Sequence, residues 1–353
     1  MANLGLPSIE IIFKELGTSA IERGESGVVA LILEDELSTP PTVKEVYSAI
    51  DIEEGIDAKH KSFIISCLKG STKGIQKLLV VKAQETVQGV KALINYDFNY
   101  LVTPYIDGAE CEEVATIVEE LRNDAKMVKY VATNYEADKP YIINFTTKDI
   151  QVGGEIVPTK EFAPRVTGVI ASMPLSMSVT YYALPDVENV EALTKSEIEE
   201  RIGKGEFLLV NDGRKVKVAR GVTSITTTGV QIPESFKKIK ILAIADLMKS
   251  DITRTLQDDY IGKYPCDYDH KCLLISAINT YLQTLEREML LDKGSSCEID
   301  VDKQRLYLNS KGIETTSMTD EQIMMQNTGD KVFLKINAKI LDVIEDVTIE
   351  ITI

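Results

Sequence analysis

From position 331 the chain reads KVFLKINAKI, with Val332, Leu334, Ile336, Ala338 and Ile340 at every second place. A polar break containing Asp342, Glu345 and Asp346 follows, and the alternation resumes in VTIEITI at Val347, Ile349, Ile351 and Ile353. A strict period of two places one apolar face on a β-strand. Here the pattern persists to the final residue, where ordering costs entropy that few contacts repay, so this strand calls for a partner edge. The edge lies either in its own sheet or in a second copy of the chain. The other end carries a matching pattern. Ile9, Ile11 and Phe13 alternate with Ser8, Glu10, Ile12 and Lys14, and Gly17, Gly24 and Gly27 separate them from the next apolar run. This segment reads as an edge strand of the main sheet or as an arm that leaves its own body.

Between the ends the period switches repeatedly. Apolar runs at 28–33, 77–83, 100–104, 128–132 and 141–145 predict buried strands, and 58–70, 86–94, 111–125 and 162–172 predict helices. Phe63, Ile64, Cys67 and Leu68 share one side of the first helix; Val114, Ile117, Val118 and Leu121 share one side of the third. The stretch 42–50 is also expected to be helical. Strands and helices in this alternation imply an open, mostly parallel sheet. Gly153-Gly154 turns a strand pair within 150–156, Thr194 to Glu197 cap a short helix, and Asn211-Asp212-Gly213 closes a hairpin. After Ile232-Pro233 come a long amphipathic helix ending near 256 and a second over 272–291, with Leu274, Ile278, Tyr281, Leu282, Leu285 and Met289 at helical spacing. Strands are expected around 297–308. The resulting organisation is an arm at 1–27, α/β regions at 28–94 and 95–232, an α+β region at 233–330, and C-terminal strands at 331–353. The fold class is α/β, α+β overall.

Composition narrows the function. The chain has 353 residues and is 44% hydrophobic, enough for about two or three domains with real cores. Lys+Arg 39 against Asp+Glu 55 gives a net charge of −16, which argues against nucleic acid as a partner and for solubility at high concentration. Cys67, Cys111, Cys266, Cys272 and Cys297 are odd in number and scattered, as reduced thiols are. No signal peptide opens the chain and no run of ~20 apolar residues occurs, so neither export nor membrane insertion is expected.

The run VKVARGVTS at 216–224 is similar to the strand and loop of contractile tail sheath proteins, found in phages and phage-tail-like bacteriocins. The stretch 241–251, YIGK at 260–263 and the helix through Tyr281-Leu282 to Met289-Leu290 resemble their C-terminal domain. The ending VIEDVTIEITI resembles their acidic-aliphatic last strand, and the opening through Gly5-Leu6-Pro7-Ser8-Ile9 also fits. The resemblance covers essentially the whole chain.

It implies a subtilisin-like α/β middle region, an α+β C-terminal domain and β-strand arms at both termini. It further implies a homo-oligomer of hexameric rings stacked helically around an inner tail tube protein, with baseplate and tail terminator proteins as further partners. Neighbours exchange terminal strands, and contraction drives the tube through a target envelope without nucleotide or other cofactor. Assembly in the bacterial cytoplasm and release by lysis follow. On this basis Ile9, Ile11, Phe13, Val347, Ile349, Ile351 and Ile353 are the strand-exchange residues. Gly17, Gly24, Gly27, Asp342, Glu345 and Asp346 are the hinge candidates, against a reading as ordinary loops. The basic cluster Lys237, Lys238, Lys240, Lys249 and Arg254 is either a tube contact or a solvated lysine-rich face.

The alternative is a soluble α/β enzyme of the nucleotide-binding or hydrolase class, and the residues give it little. No serine sits in a G-x-S-x-G setting. His60 lies among Lys59, Lys61 and Ser62, as on a solvated helix face. His270 with Cys266, Asp267 and Cys272 lacks a recurrent zinc spacing. Gly70 to Gly74 lack the phosphate-loop order and read as a helix cap and turn, and Asp300-Val301-Asp302 is not continued as a calcium loop.

Overall fold

The computed structural model describes Ile21 and residues 27–230 and 232–352. The expected arm residues Ile9, Ile11 and Phe13, the glycines Gly17 and Gly24, and Ile353 lie outside the described residues. Two compact units are present. The described part of the larger runs over 27–230 and 232–253 and takes in 340–352; that of the smaller is Ile21 and Arg254–Lys339.

The larger unit begins with β1 (Val28–Glu34), β2 (Thr42–Val46), α1 (Ala58–Lys69), β3 (Lys77–Ala83), α2 (Thr86–Ala92), β4 (Tyr100–Val102), α3 (Cys111–Asn123), β5 (Lys129–Thr133) and β6 (Ile142–Phe145). It continues with β7 (Ile150–Val152), β8 (Glu155–Val157), α4 (Thr159–Ser172), α5 (Lys195–Gly203), β9 (Glu206–Phe207), β10 (Leu209–Asn211), β11 (Val216–Val218) and α6 (Ile239–Thr255). Seven strands form one sheet in the order β2-β3-β1-β4-β5-β6-β9, parallel except for β2 against β3.

β1 lies near the middle of the sheet, and every residue but Glu34 is buried. Val29, Leu31 and Leu33 join the core under α1 and α4, while Val28, Ala30 and Ile32 join the core under α2 and α3. A strand covered on both faces reads as a continuous apolar run, which is why VVALILE does not alternate. Each large aliphatic side chain buried there contributes about 1.5–3 kcal/mol.

Two expectations are corrected here. The stretch 42–50 is not a helix: Thr42 to Val46 pair antiparallel with β3, followed by a 3-10 turn at Ala49–Asp51. Three of the five strand residues are β-branched, which favours the available sheet edge over a helix. The division at 94/95 also fails, because β3 and β4 both pair with β1 in one sheet, so 28–94 and 95–232 are parts of one body. That body extends past 233 into α6.

The smaller unit comprises α7 (Tyr268–Arg287), β12 (Ser296–Ile299), α8 (Val301–Ser310), α9 (Asp320–Met325) and β13 (Leu334–Asn337). α7 buries Leu274, Ile278, Tyr281, Leu282 and Leu285, as its spacing predicts; Met289 falls beyond the helix end and is exposed. The strand expectation for 297–308 holds only through Ile299. Asp300 then accepts the N–H of Lys303 and starts α8. An Asp acceptor three residues before a free helix N–H is a strong start signal.

Candidate assembly site

The C-terminal segment belongs to the larger unit and is fastened to it between Leu341 and Asp346, most densely at Glu345. Glu345 is 6% exposed at its side chain and accepts Lys238 Nζ at 2.8 Å, Thr180 Oγ1 at 2.6 Å and Ser178 Oγ at 3.2 Å. Arg220 completes the cradle, donating Nε and Nη2 to the same carboxylate at 3.3 Å and Nη2 to Asp346 at 2.5 Å. Burial by itself pushes the Glu345 carboxyl up, but the hydrogen bonds from Lys238 and Thr180 and the charges of Lys238 and Arg220 outweigh it. They hold its pKa at about 2. Lys238 also pairs with Asp342, and Lys240 Nζ donates to the Leu341 carbonyl at 2.6 Å.

Beyond Asp346 the attachment stops. Val347, Ile349 and Ile351 are 67%, 76% and 79% exposed, and residues 347–352 pair with no strand among the described residues. The alternating apolar face noted in the sequence is therefore open to solvent.

In the smaller unit, β12 and β13 form a two-stranded antiparallel sheet with Cys297 opposite Ile336. Its two outer edges differ. On the β12 side, Asn279 of α7 bonds both Cys297 backbone groups, accepting the N–H at 2.7 Å and donating to the carbonyl at 3.1 Å. Two helical turns on, Glu286 accepts the Ser295 N–H at 2.7 Å. Because Cys297 points its backbone groups at α7, it occupies a pair without mutual hydrogen bonds, and so does Ile336 opposite it. The Phe333 carbonyl accepting from Asp300 N–H fits the same parity. Leu334 and Ile336 thus aim their N–H and C=O groups away from β12, toward an edge that no described strand occupies.

These contacts relocate several expected residues. Lys238 and Lys240 hold the C-terminal segment, and Lys237 faces Glu234 at 3.6 Å, while Lys249 is exposed. Glu345, expected as a hinge, is the most firmly held residue of its segment; its partner Arg220 lies 125 positions away, out of reach of any local pattern. Gly27 is buried with φ +86°, and a Cβ there would meet the Ala171 carbonyl oxygen at 2.8 Å. It is a packed corner, with its own carbonyl accepting from Gln76 N–H. His60 is half-buried, edge-on to the Tyr105 ring, and His270 contacts its own helix cap, Asp267, at 2.7 Å. Among the described residues no group of three or more His, Cys, Asp or Glu is placed to hold a metal, and no helix is long and apolar enough to cross a membrane.

Family comparisons add to this geometry. The model of the phage tail sheath protein central domain matches residues 80–224, and that of the phage tail sheath C-terminal domain matches residues 231–353. The tail sheath protein of Clostridium phage phiCD119 is 35% identical over 98% of this chain and 99% of its own length. The chain belongs to the phage tail sheath family.

Solved sheath structures share the α/β fold at low identity. The anti-feeding prophage helical sheath in its contracted state superposes with a TM-score of 0.70 at 12% identity, covering 99% of both chains. The sheath tail protein of Desulfitobacterium hafniense gives 0.67 at 16% identity, over 78% of this chain and 91% of that one. This family is structural and not enzymatic, and the enzyme alternative lapses. The chain is a tail sheath component of a phage or phage-like particle.

Proposed function

We propose that this sheath subunit polymerises as stacked hexameric rings around an inner tail tube and lends its C-terminal strand to the next copy, and that contraction of the mesh drives the tube through a target envelope. One observation carries the reading: Val347, Ile349 and Ile351 form an exposed apolar face just past a firmly fastened root. The open edge of β13 is the receiving site. Backbone ladder bonds suit such a link, because they persist while side-chain interfaces are exchanged. With its apolar side continuing that of Leu334 and Ile336, the lent strand places Glu350 on the face of Lys335.

The N-terminal residues Ile9, Ile11 and Phe13 are the second strand to be lent, with Gly17 and Gly24 as its pivots. Lys249, which is exposed, is the candidate for the tube surface, with Lys237 and Arg254 near it in sequence. Baseplate and tail terminator proteins bound the polymer, which assembles in the bacterial cytoplasm before lysis.

Negative-stain electron microscopy of the full chain across a concentration series, beside a variant lacking 347–353, tests this. Hollow striated tubes only from the full chain are expected. Tubes from both would remove the C-terminal strand as the essential link.

A further inference from the structure

The contacts around Glu345 form a more elaborate site than a segment end requires. Four side chains from three separate stretches converge on one carboxylate: Ser178 and Thr180 after α4, Arg220 after β11, and Lys238 before α6. The stretches are fixed to one another first. Thr180 Oγ1 also accepts the Gly221 N–H at 3.0 Å, and Ser178 Oγ accepts the Thr180 N–H at 3.1 Å. Tyr181 N–H donates to the Val218 carbonyl, Ile239 N–H to the Gly221 carbonyl, and Val222 bridges Lys238. Position 221 has no room for a side chain, because a Cβ would meet Val179 Cγ1 at 2.8 Å. The backbones that carry these donors are thus placed by contacts other than the carboxylate itself.

We propose that this cradle is a carboxylate-binding site whose ligand is the Glu345 side chain, and that its role is to fix where the lent strand leaves its own body. The inference rests on the strand-lending reading above and adds the device that sets its root. The contrast between adjacent residues supports it: the Glu345 side chain is 6% exposed and that of Asp346 85%. A strand lent without a fixed root peels from its own subunit when the neighbour moves. With residue 345 held, tension along the strand passes into the loop after α4, β11 and α6. The free strand begins at Val347.

Limited digestion of the full-length monomer with a glutamate-specific protease reads this directly, since the protease must take the Glu carboxylate into its own pocket. A synthetic peptide of residues 340–352 supplies the intrinsic ratio of cuts after Glu345 and after the exposed Glu350. In the intact monomer, cutting after Glu345 is expected to fall about tenfold or more below that ratio. Arg220→Ala and Lys238→Met are expected to restore it while leaving the thermal transition cooperative. A wild-type ratio equal to the peptide's overturns the site, even if tubes still vanish on truncation of the strand. Protection confined to the polymer overturns it as well, by placing another copy's Glu345 in the cradle. Glu345→Gln tests the role: with the monomer folded, tubes at a given concentration are expected to drop about tenfold. Normal tubes from Glu345→Gln would leave the cradle without a part in assembly and overturn the proposal.

Discussion

Asp246 on α6 accepts both terminal nitrogens of Arg122 on α3, at 2.7 and 3.0 Å, and Lys129 Nζ of β5 at 3.0 Å. Burial raises this carboxyl, but the charges and hydrogen bonds of Lys129 and Arg122 overcome it and hold its pKa below the ordinary range. The triad pins α6 to the sheet. Lys240 sits on the same helix and Lys238 immediately precedes it, so the basic side of the Glu345 cradle inherits its position from Asp246.

Asp246→Ala leaves two cations buried without their counter-charge. Breaking such a group by removing one partner costs about 3–5 kcal/mol, and urea unfolding of the monomer measures it. A loss under about 1 kcal/mol would mean that Arg122 and Lys129 find other partners or water.

Glu345 predicts a defined pH dependence. Its folded pKa of about 2 lies below the ordinary 4.5, so its contribution is complete above 4.5 and disappears as pH falls toward 2. The stability gap between the wild type and Glu345→Gln is therefore expected to stay level from pH 5 to 8 and close below 4.5. Urea midpoints over that series check it. A gap already gone at pH 5 contradicts the geometry.

Asn279 closes the β12 edge of the β12–β13 sheet with one amide that both donates and accepts. Asn279→Ala strands the Cys297 N–H and carbonyl and is expected to cost about 1–3 kcal/mol. Asn279→Asp keeps an acceptor for the N–H but loses the donor, and is expected to fall between the two in thermal unfolding. Equal melting of all three proteins would show that water replaces the amide without penalty.

Much of the larger unit is legible in the sequence because its strands are buried on both faces and its helices carry one-sided apolar spacing. β2 is the exception: as an edge strand with a largely exposed, charged outer face, TVKEV lacks a strong period of either kind. α8 was hidden by its short length and by an Asp300 cap that resembles the start of a metal loop. The exposed tail is half legible. Alternation marks Val347, Ile349 and Ile351 as one apolar face, yet nothing local says whether a partner edge lies in the same chain, and residues 347–352 stand unpaired with any described strand. The Glu345 cradle is illegible for a different reason: its residues come from stretches far apart in the chain, and each alone reads as an ordinary loop polar group. The acidic break was visible, but its chemistry depends on partners that only folding brings together.

The point of attachment at Glu345 also sets a tether length. A strand advances about 3.3 Å per residue, so the stretch from Val347 to Ile351 carries about 17 Å of backbone past its root. Were the strand lent as proposed, two subunits joined by it would be free to turn about the joint but not to draw apart beyond that reach. On that proposal, any rearrangement of the lattice would be confined to rotations and slides within one strand's length, and neighbours would keep their identity from the first state to the last.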